Sequence, residues 1–175
     1  MADQPTPDAV AAPQGEGQPA PQIAIESQYI KDLSFENPQG PNAQNAVAAH
    51  PEVAIEVNTS VRPLGEKDGV GRFEVTLLIK GEARLNGQPV FIIELTYAGA
   101  LALANVPQEA VAPVLLIEGP RLLFPFARNI IAEVTRDGGF PPLFIQPIDF
   151  VQLYRDQHMK GQAQPRPGGN AGATG

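Results

Sequence analysis

The chain is 175 residues long and carries 12 Lys and Arg against 19 Asp and Glu, a net charge of −7, a pI near 4.8 and no cysteine. The acidic balance argues against nucleic acid or an anionic membrane surface as partner, because either would bring phosphates toward a like-charged protein. Without cysteine there are no disulfides, thiolate metal sites or cysteine nucleophiles, which fits a reducing compartment.

The 19 Pro and 17 Gly are unevenly placed. Residues 1–22 hold five Pro and residues 161–175 hold five Gly, while every Phe and Tyr lies between Tyr29 and Tyr154. Both ends are therefore expected to be disordered tails flanking one domain over residues 23–160. No apolar run approaches the roughly 20 residues that span a bilayer. The start Met1-Ala2-Asp3-Gln4-Pro5 lacks the basic and apolar segments of a signal peptide, so a cytoplasmic location is expected.

Taken in chain order, Ile23, Ile25, Tyr29, Leu33 and Phe35 alternate with polar residues, which predicts a half-buried strand with all five on one face. Lys31 breaks the alternation and predicts a bulge or bend. Residues 37–51 read as a loop, and Val53, Ile55, Val57, Thr59 and Val61 as a second strand ending in a turn from Pro63 to Gly71. The third strand turns Phe73, Val75, Leu77 and Ile79 inward. Asn86-Gly87 then predicts a tight hairpin, since both central residues of such a turn need positive φ. In the fourth strand Phe91, Ile93, Leu95 and Tyr97 alternate with Val90, Ile92, Glu94 and Thr96, and its start is apolar on both faces.

Beyond Pro107 the period changes. An irregular helix interrupted by Pro113 and ended by Gly119-Pro120 is predicted, followed by an amphipathic helix through Leu122, Leu123, Phe126, Ile130 and Val134, kinked at Pro125 and stopped by Gly138-Gly139. The segment from Phe140 to Pro147 holds three Pro and four large apolar side chains, so it is an apolar loop that must dock on something. Asp149 then caps a last helix, with Gln152 completing the capping box and Ile148 and Leu153 forming the hydrophobic staple. Strands followed by helices predict an α+β domain with a four-stranded antiparallel sheet.

Catalytic chemistry is hard to assemble from these residues. His50 and His158 have no evident ligand partners, and Gly69-Val70-Gly71-Arg72 lacks the lysine and helix of a phosphate loop. Carboxylate pairs such as Asp32 with Glu36 fall on a polar sheet face rather than in a cleft. No enzyme activity, metal or cofactor is expected.

Four separated motifs carry a resemblance. Residues 29–38, YIKDLSFENP, resemble the first-strand motif of the SecB family of bacterial export chaperones. The runs LLFPFAR at 122–128, GFPPL at 139–143 and QPIDF at 146–150 are similar to its helix, crossover loop and last helix, in that order. The resemblance implies a homotetramer, a dimer of dimers, that holds unfolded precursor proteins without using ATP and hands them to the motor SecA. It places SecA binding at Asp32, Glu36, Ile92 and Glu94. It supports a client groove along Ile55, Val57, Phe140, Leu143, Phe144, Ile145, Phe150 and Tyr154.

The surplus of apolar surface places an oligomer interface at Phe91, Ile93, Leu95, Tyr97, Leu122, Leu123, Phe126 and Ile130. The chain departs from the family pattern at Thr96-Tyr97-Ala98-Gly99 and in a tail without acid after Asp156, so tail contacts to SecA are not expected. The other readings are a binding module with one fixed protein partner, and a family member recruited to a toxin–antitoxin system.

Overall fold

The computed structural model describes residues 20–162, and the tails expected on either side fall largely outside them. Four long strands form one antiparallel sheet: β1 (Gln22–Glu36), β2 (Glu52–Lys67), β3 (Val70–Leu85) and β4 (Gln88–Ala104). Their order is β1-β4-β3-β2, so a meander of three hairpin-linked strands is flanked by β1, whose connection crosses to the far edge. The two hairpins are alike. Asn86 and Gly87 have φ of 50° and 78°, and Asp68 and Gly69 have 55° and 76°. Both are two-residue turns of the kind whose twist matches the strands.

The second hairpin corrects the sequence reading, which ended β2 at Pro63. β2 is an edge strand, where the missing N–H of proline removes no ladder bond. The strand passes Pro63 with a register shift before Gly65 and continues to Lys67. The loop expected over residues 37–51 also contains structure, a 3-10 turn at Gly40–Asn42 and the short helix α1 (Ala43–Ala48). Ala43 and Ala46 belong to the buried core, as does Val90, which is the extra residue at a register shift between β3 and β4, so simple alternation does not set its side.

β1 has two bulges, not one. Register shifts fall between Ile25 and Ser27 and between Ile30 and Asp32, leaving Glu26 and Lys31 as the extra residues. Parity therefore changes twice. Ile23, Ile25, Ile30, Leu33 and Phe35 share the helix side with Leu95, Tyr97 and Leu101, whereas Tyr29 pairs with Ala98 on the outer side. Tyr29 is thus not a core residue.

The predicted pair of helices is one helix, α2 (Gln108–Asp137), with Pro113, Pro120 and Pro125 inside it. Gly119-Pro120 does not end it, because both residues are buried where the helix presses on the sheet. A Cβ at Gly119 would stand 2.9 Å from Val75 Cγ2. Burial along the helix offsets the backbone bonds lost at the prolines. By length and composition α2 could cross a membrane, yet here its buried side packs on β3 and β4. Leu115, Leu123, Ala127 and Ile131 meet Val75, Leu77, Ile79, Ile93, Leu95 and Leu101 in the core.

Gly119→Val puts methyl groups where Val75 and Leu101 already stand. It is expected to lower unfolding stability by about 3 kcal/mol, read as a shift in the urea midpoint.

The helix ends as expected. Gly139 has φ of 90°, and the N–H groups of Gly138, Gly139 and Phe140 bond to the carbonyls of Val134, Arg136 and Thr135. The last helix, α3 (Phe150–Gln162), starts on Asp149, whose carboxylate accepts from the N–H groups of Val151 and Gln152, each at 3.0 Å. The other half of the capping box is absent: Gln152 donates instead to Asp156.

Candidate functional site

The crossover segment between α2 and α3 lies on the helix side of the sheet and is pinned at three points. Phe140 enters an aromatic cluster with Phe91 at 5.0 Å and Phe35 at 6.1 Å between ring centroids. The Leu143 N–H donates to Thr135 Oγ1 at 2.9 Å, and that buried hydroxyl donates in turn to the Ile131 carbonyl. Ile145 is buried. At the start of α3, Phe150 packs edge-on against Phe124 at 5.9 Å. The segment is a fixed wall, not a free loop.

Beside this wall runs an apolar groove. A cavity of 260 Å³ is lined by Val47, Val53, Phe91, Phe140, Pro141 and Leu143, among others. Next to it Ile55 and Leu143 converge over Gly81: a Cβ there would lie 3.3 Å from Ile55 Cδ1 and 3.3 Å from Leu143 Cδ2. Gly81 keeps the groove floor open. Val57 follows on the same face of β2, opposite Ile79. Val53 and Ile55 are exposed, and Val57, Leu143 and Tyr154 are half-buried.

The structure therefore divides the predicted client residues. Ile55, Val57 and Leu143 come together at accessible positions. Phe140 forms the groove's base, and Ile145 and Phe150 are core anchors with no surface to offer, because the segment that carries them must bury something to hold its shape. Phe144 turns the opposite way from Leu143; it is 61% exposed and lies near Arg128, whose guanidinium carbon is 6.0 Å from the ring centroid. Thr135, Val47, Val53 and Pro141 were missed by sequence reasoning. Val53 carried a legible signal, since it shares parity with Ile55.

The predicted oligomer residues divide in the same way. Phe91, Ile93, Leu95, Tyr97 and Leu123 are buried inside the protomer by its own α2 and crossover segment, so they offer no free surface to another copy. Leu122 and Phe126 are exposed, at 39% and 48%, and Ile130 is half-buried beside them on the outer face of α2. That stripe is the accessible part of the predicted interface.

The outer face of the sheet carries the second constellation. Register pairs Glu36 with Ile92, Ser34 with Glu94 and Asp32 with Thr96, so Asp32, Glu36, Ile92 and Glu94 share one surface. β3 adds Glu82 opposite Ile92 and Lys80 opposite Glu94. Glu82 is engaged by Arg84 at 2.7 Å. The surface is acidic around a half-buried isoleucine.

Further along this face Glu74 accepts from Lys31 Nζ at 2.6 Å, Tyr29 Oη at 2.7 Å and Arg62 Nη2 at 3.1 Å. Its side chain is 6% exposed. The bond from Lys31, then those from Tyr29 and Arg62, outweigh its desolvation and lower its pKa from 4.5 to about 2. The same bond raises the Tyr29 hydroxyl above its usual range. A carboxylate with a lowered folded pKa stabilises above its unfolded value, and that stabilisation disappears as pH falls through the folded value. The Glu74 contribution should thus be lost between pH 4.5 and about 2. Urea midpoints measured across that window should fall less steeply in Glu74→Gln than in the wild type.

Comparison with known proteins gives a consistent picture. Residues 16–161 match the family model described as preprotein translocase subunit SecB. A protein-export protein SecB of a Bradyrhizobium strain is 51% identical over 148 residues, covering 85% of this chain and 88% of its own. That of Azorhizobium caulinodans is 50% identical over 145 residues, covering 83% and 88%. Among solved structures, a SecB-like chaperone of Mycobacterium tuberculosis, in complex with an antitoxin peptide, superposes with a TM-score of 0.55 at 16% identity. It covers 72% of this chain and 90% of that one, and shares the fold.

Proposed function

Because this chain belongs to the SecB family, we propose that it is an ATP-independent export chaperone that holds unfolded precursor proteins and delivers them to SecA. The observation that carries this reading is the groove at Ile55, Val53 and Leu143, apolar, partly open and held by a buried aromatic cluster. Shallow apolar contacts select for extended apolar segments with little regard to sequence, as a holdase requires. The acidic outer face of β1 and β4 is the proposed SecA dock, its charges steering a basic partner segment onto Ile92. The stripe of Leu122, Phe126 and Ile130 is the proposed contact between dimers of a tetramer acting in the cytoplasm.

The dock is tested by calorimetric titration of SecA into wild type and an Asp32→Asn, Glu94→Gln double variant at two salt concentrations. Weaker binding in the variant, and in high salt for the wild type, is expected, since exposed pairs are screened over about 8 to 10 Å. Client capture should be unchanged. Equal affinity in all four titrations would remove this face from the mechanism.

A further inference from the structure

Both bulges of β1 coincide with a charge that reaches across a whole strand. Between Ile30 and Leu33, which both face the helices, an uninterrupted strand has room for one residue, and β1 has two, Lys31 and Asp32. Either could be the residue left out of the ladder. The observed choice is Lys31, with Asp32 paired to Thr96. Lys31 extends over β4 to Glu74 on β3 at 2.6 Å. The path is open because the outer side of β4 offers only Ala98, Ala100 and Ala102 there. The first bulge repeats the arrangement with reversed sign: Glu26 is left out and bonds across β4 to Arg72, with Arg72 Nε at 2.8 Å.

We propose that the Lys31–Glu74 clasp selects which residue is bulged, and so sets Asp32 rather than Lys31 in the row of the docking face. Hydrophobic pattern alone does not make that choice, because Ile30 and Leu33 keep their side in either arrangement. The clasp also removes a cation from the acidic surface. If it is broken, Lys31 competes for the place opposite Thr96, exchanging an acid for a base beside Glu94. Lys31 and Glu74 are then positioning residues for a dock they do not themselves form. This inference rests on the docking reading above only for its functional consequence; the selection of the bulge stands apart from it.

The absence of cysteine permits a direct register test. In an Asp32→Cys, Thr96→Cys variant the two thiols are cross-strand partners, at a spacing that a disulfide accepts. Adding Glu74→Gln or Lys31→Gln should slow disulfide formation by about tenfold, while Lys31→Arg, which keeps the clasp, should leave it near the parent rate. In the cysteine-free protein, Glu74→Gln should weaken SecA binding by about fivefold, and Lys31→Arg should bind as wild type. A rescue by arginine is not expected of mere loss of stability. Equal disulfide rates in all variants would overturn the clasp. Slowed disulfides with unchanged SecA affinity would uphold the clasp and overturn the dock.

Discussion

Replacing Ile55 and Leu143 together by Ser should weaken capture of an unfolded precursor by roughly thirtyfold while leaving assembly and melting near the wild type. Each side chain converges over Gly81 without being fully buried, so its loss removes client contact rather than core. A partly exposed aliphatic group contributes about 1 kcal/mol to such a contact, and two of them account for the factor. Several grooves in one assembly would amplify the effect through avidity. Phe140→Ser should behave differently. Its ring is buried between Phe35 and Phe91, so its removal should cost about 3 to 5 kcal/mol of stability and loosen the wall itself. Competition binding with a fluorescent unfolded precursor, beside thermal melting, separates the two variants. Wild-type capture by the Ile55, Leu143 variant would move the client site elsewhere.

The second large effect concerns assembly. Leu122→Asp with Phe126→Asp should convert the proposed tetramer to smaller species at micromolar concentration without unfolding the protomer. Both side chains stand on the outer face of α2, away from Leu123 and Ala127, which hold the helix to the sheet. Obligate interfaces bury about 2,000 Å² or more and tolerate no unpaired charge at their centre. Multi-angle light scattering reads the mass, and circular dichroism the retained fold. An unchanged mass would show that the stripe is not the contact between dimers.

The sheet and the hairpin at Asn86-Gly87 were legible because alternation and turn chemistry are local. Asp68-Gly69 is the same signal, hidden behind Pro63, whose strand-breaking character depends on whether the strand has a neighbour on that side. That is a property of the sheet order. The continuity of α2 was illegible for a related reason: Gly119-Pro120 stops a helix in water, but here it is the point of closest approach to Val75, and the absence of a side chain is what the packing needs.

The shared side of Asp32, Glu36, Ile92 and Glu94 was legible because these residues lie beyond the second bulge, for which Lys31 was the signal. The first bulge, at Glu26, was not, since Ile23 and Ile25 keep parity with Tyr29. Tyr29 was therefore placed on the wrong side. Among the client residues, hydrophobicity identified the right segment and could not sort it, because Leu143 and Ile145 read alike in sequence. Only the hydrogen bond from Leu143 to Thr135 and the burial of Ile145 tell them apart.

In the proposed role the protein keeps unfolded precursors from aggregating or folding, without nucleotide. A slow-folding secretory precursor, diluted from denaturant into buffer with stoichiometric chaperone and no ATP, should stay soluble and unfolded by light scattering and protease sensitivity. It should then become translocated into SecA-loaded membrane vesicles when ATP is added. Several unrelated precursors should behave alike. Aggregation or folding at the rate seen without chaperone, or protection of a single protein only, would rule out that role.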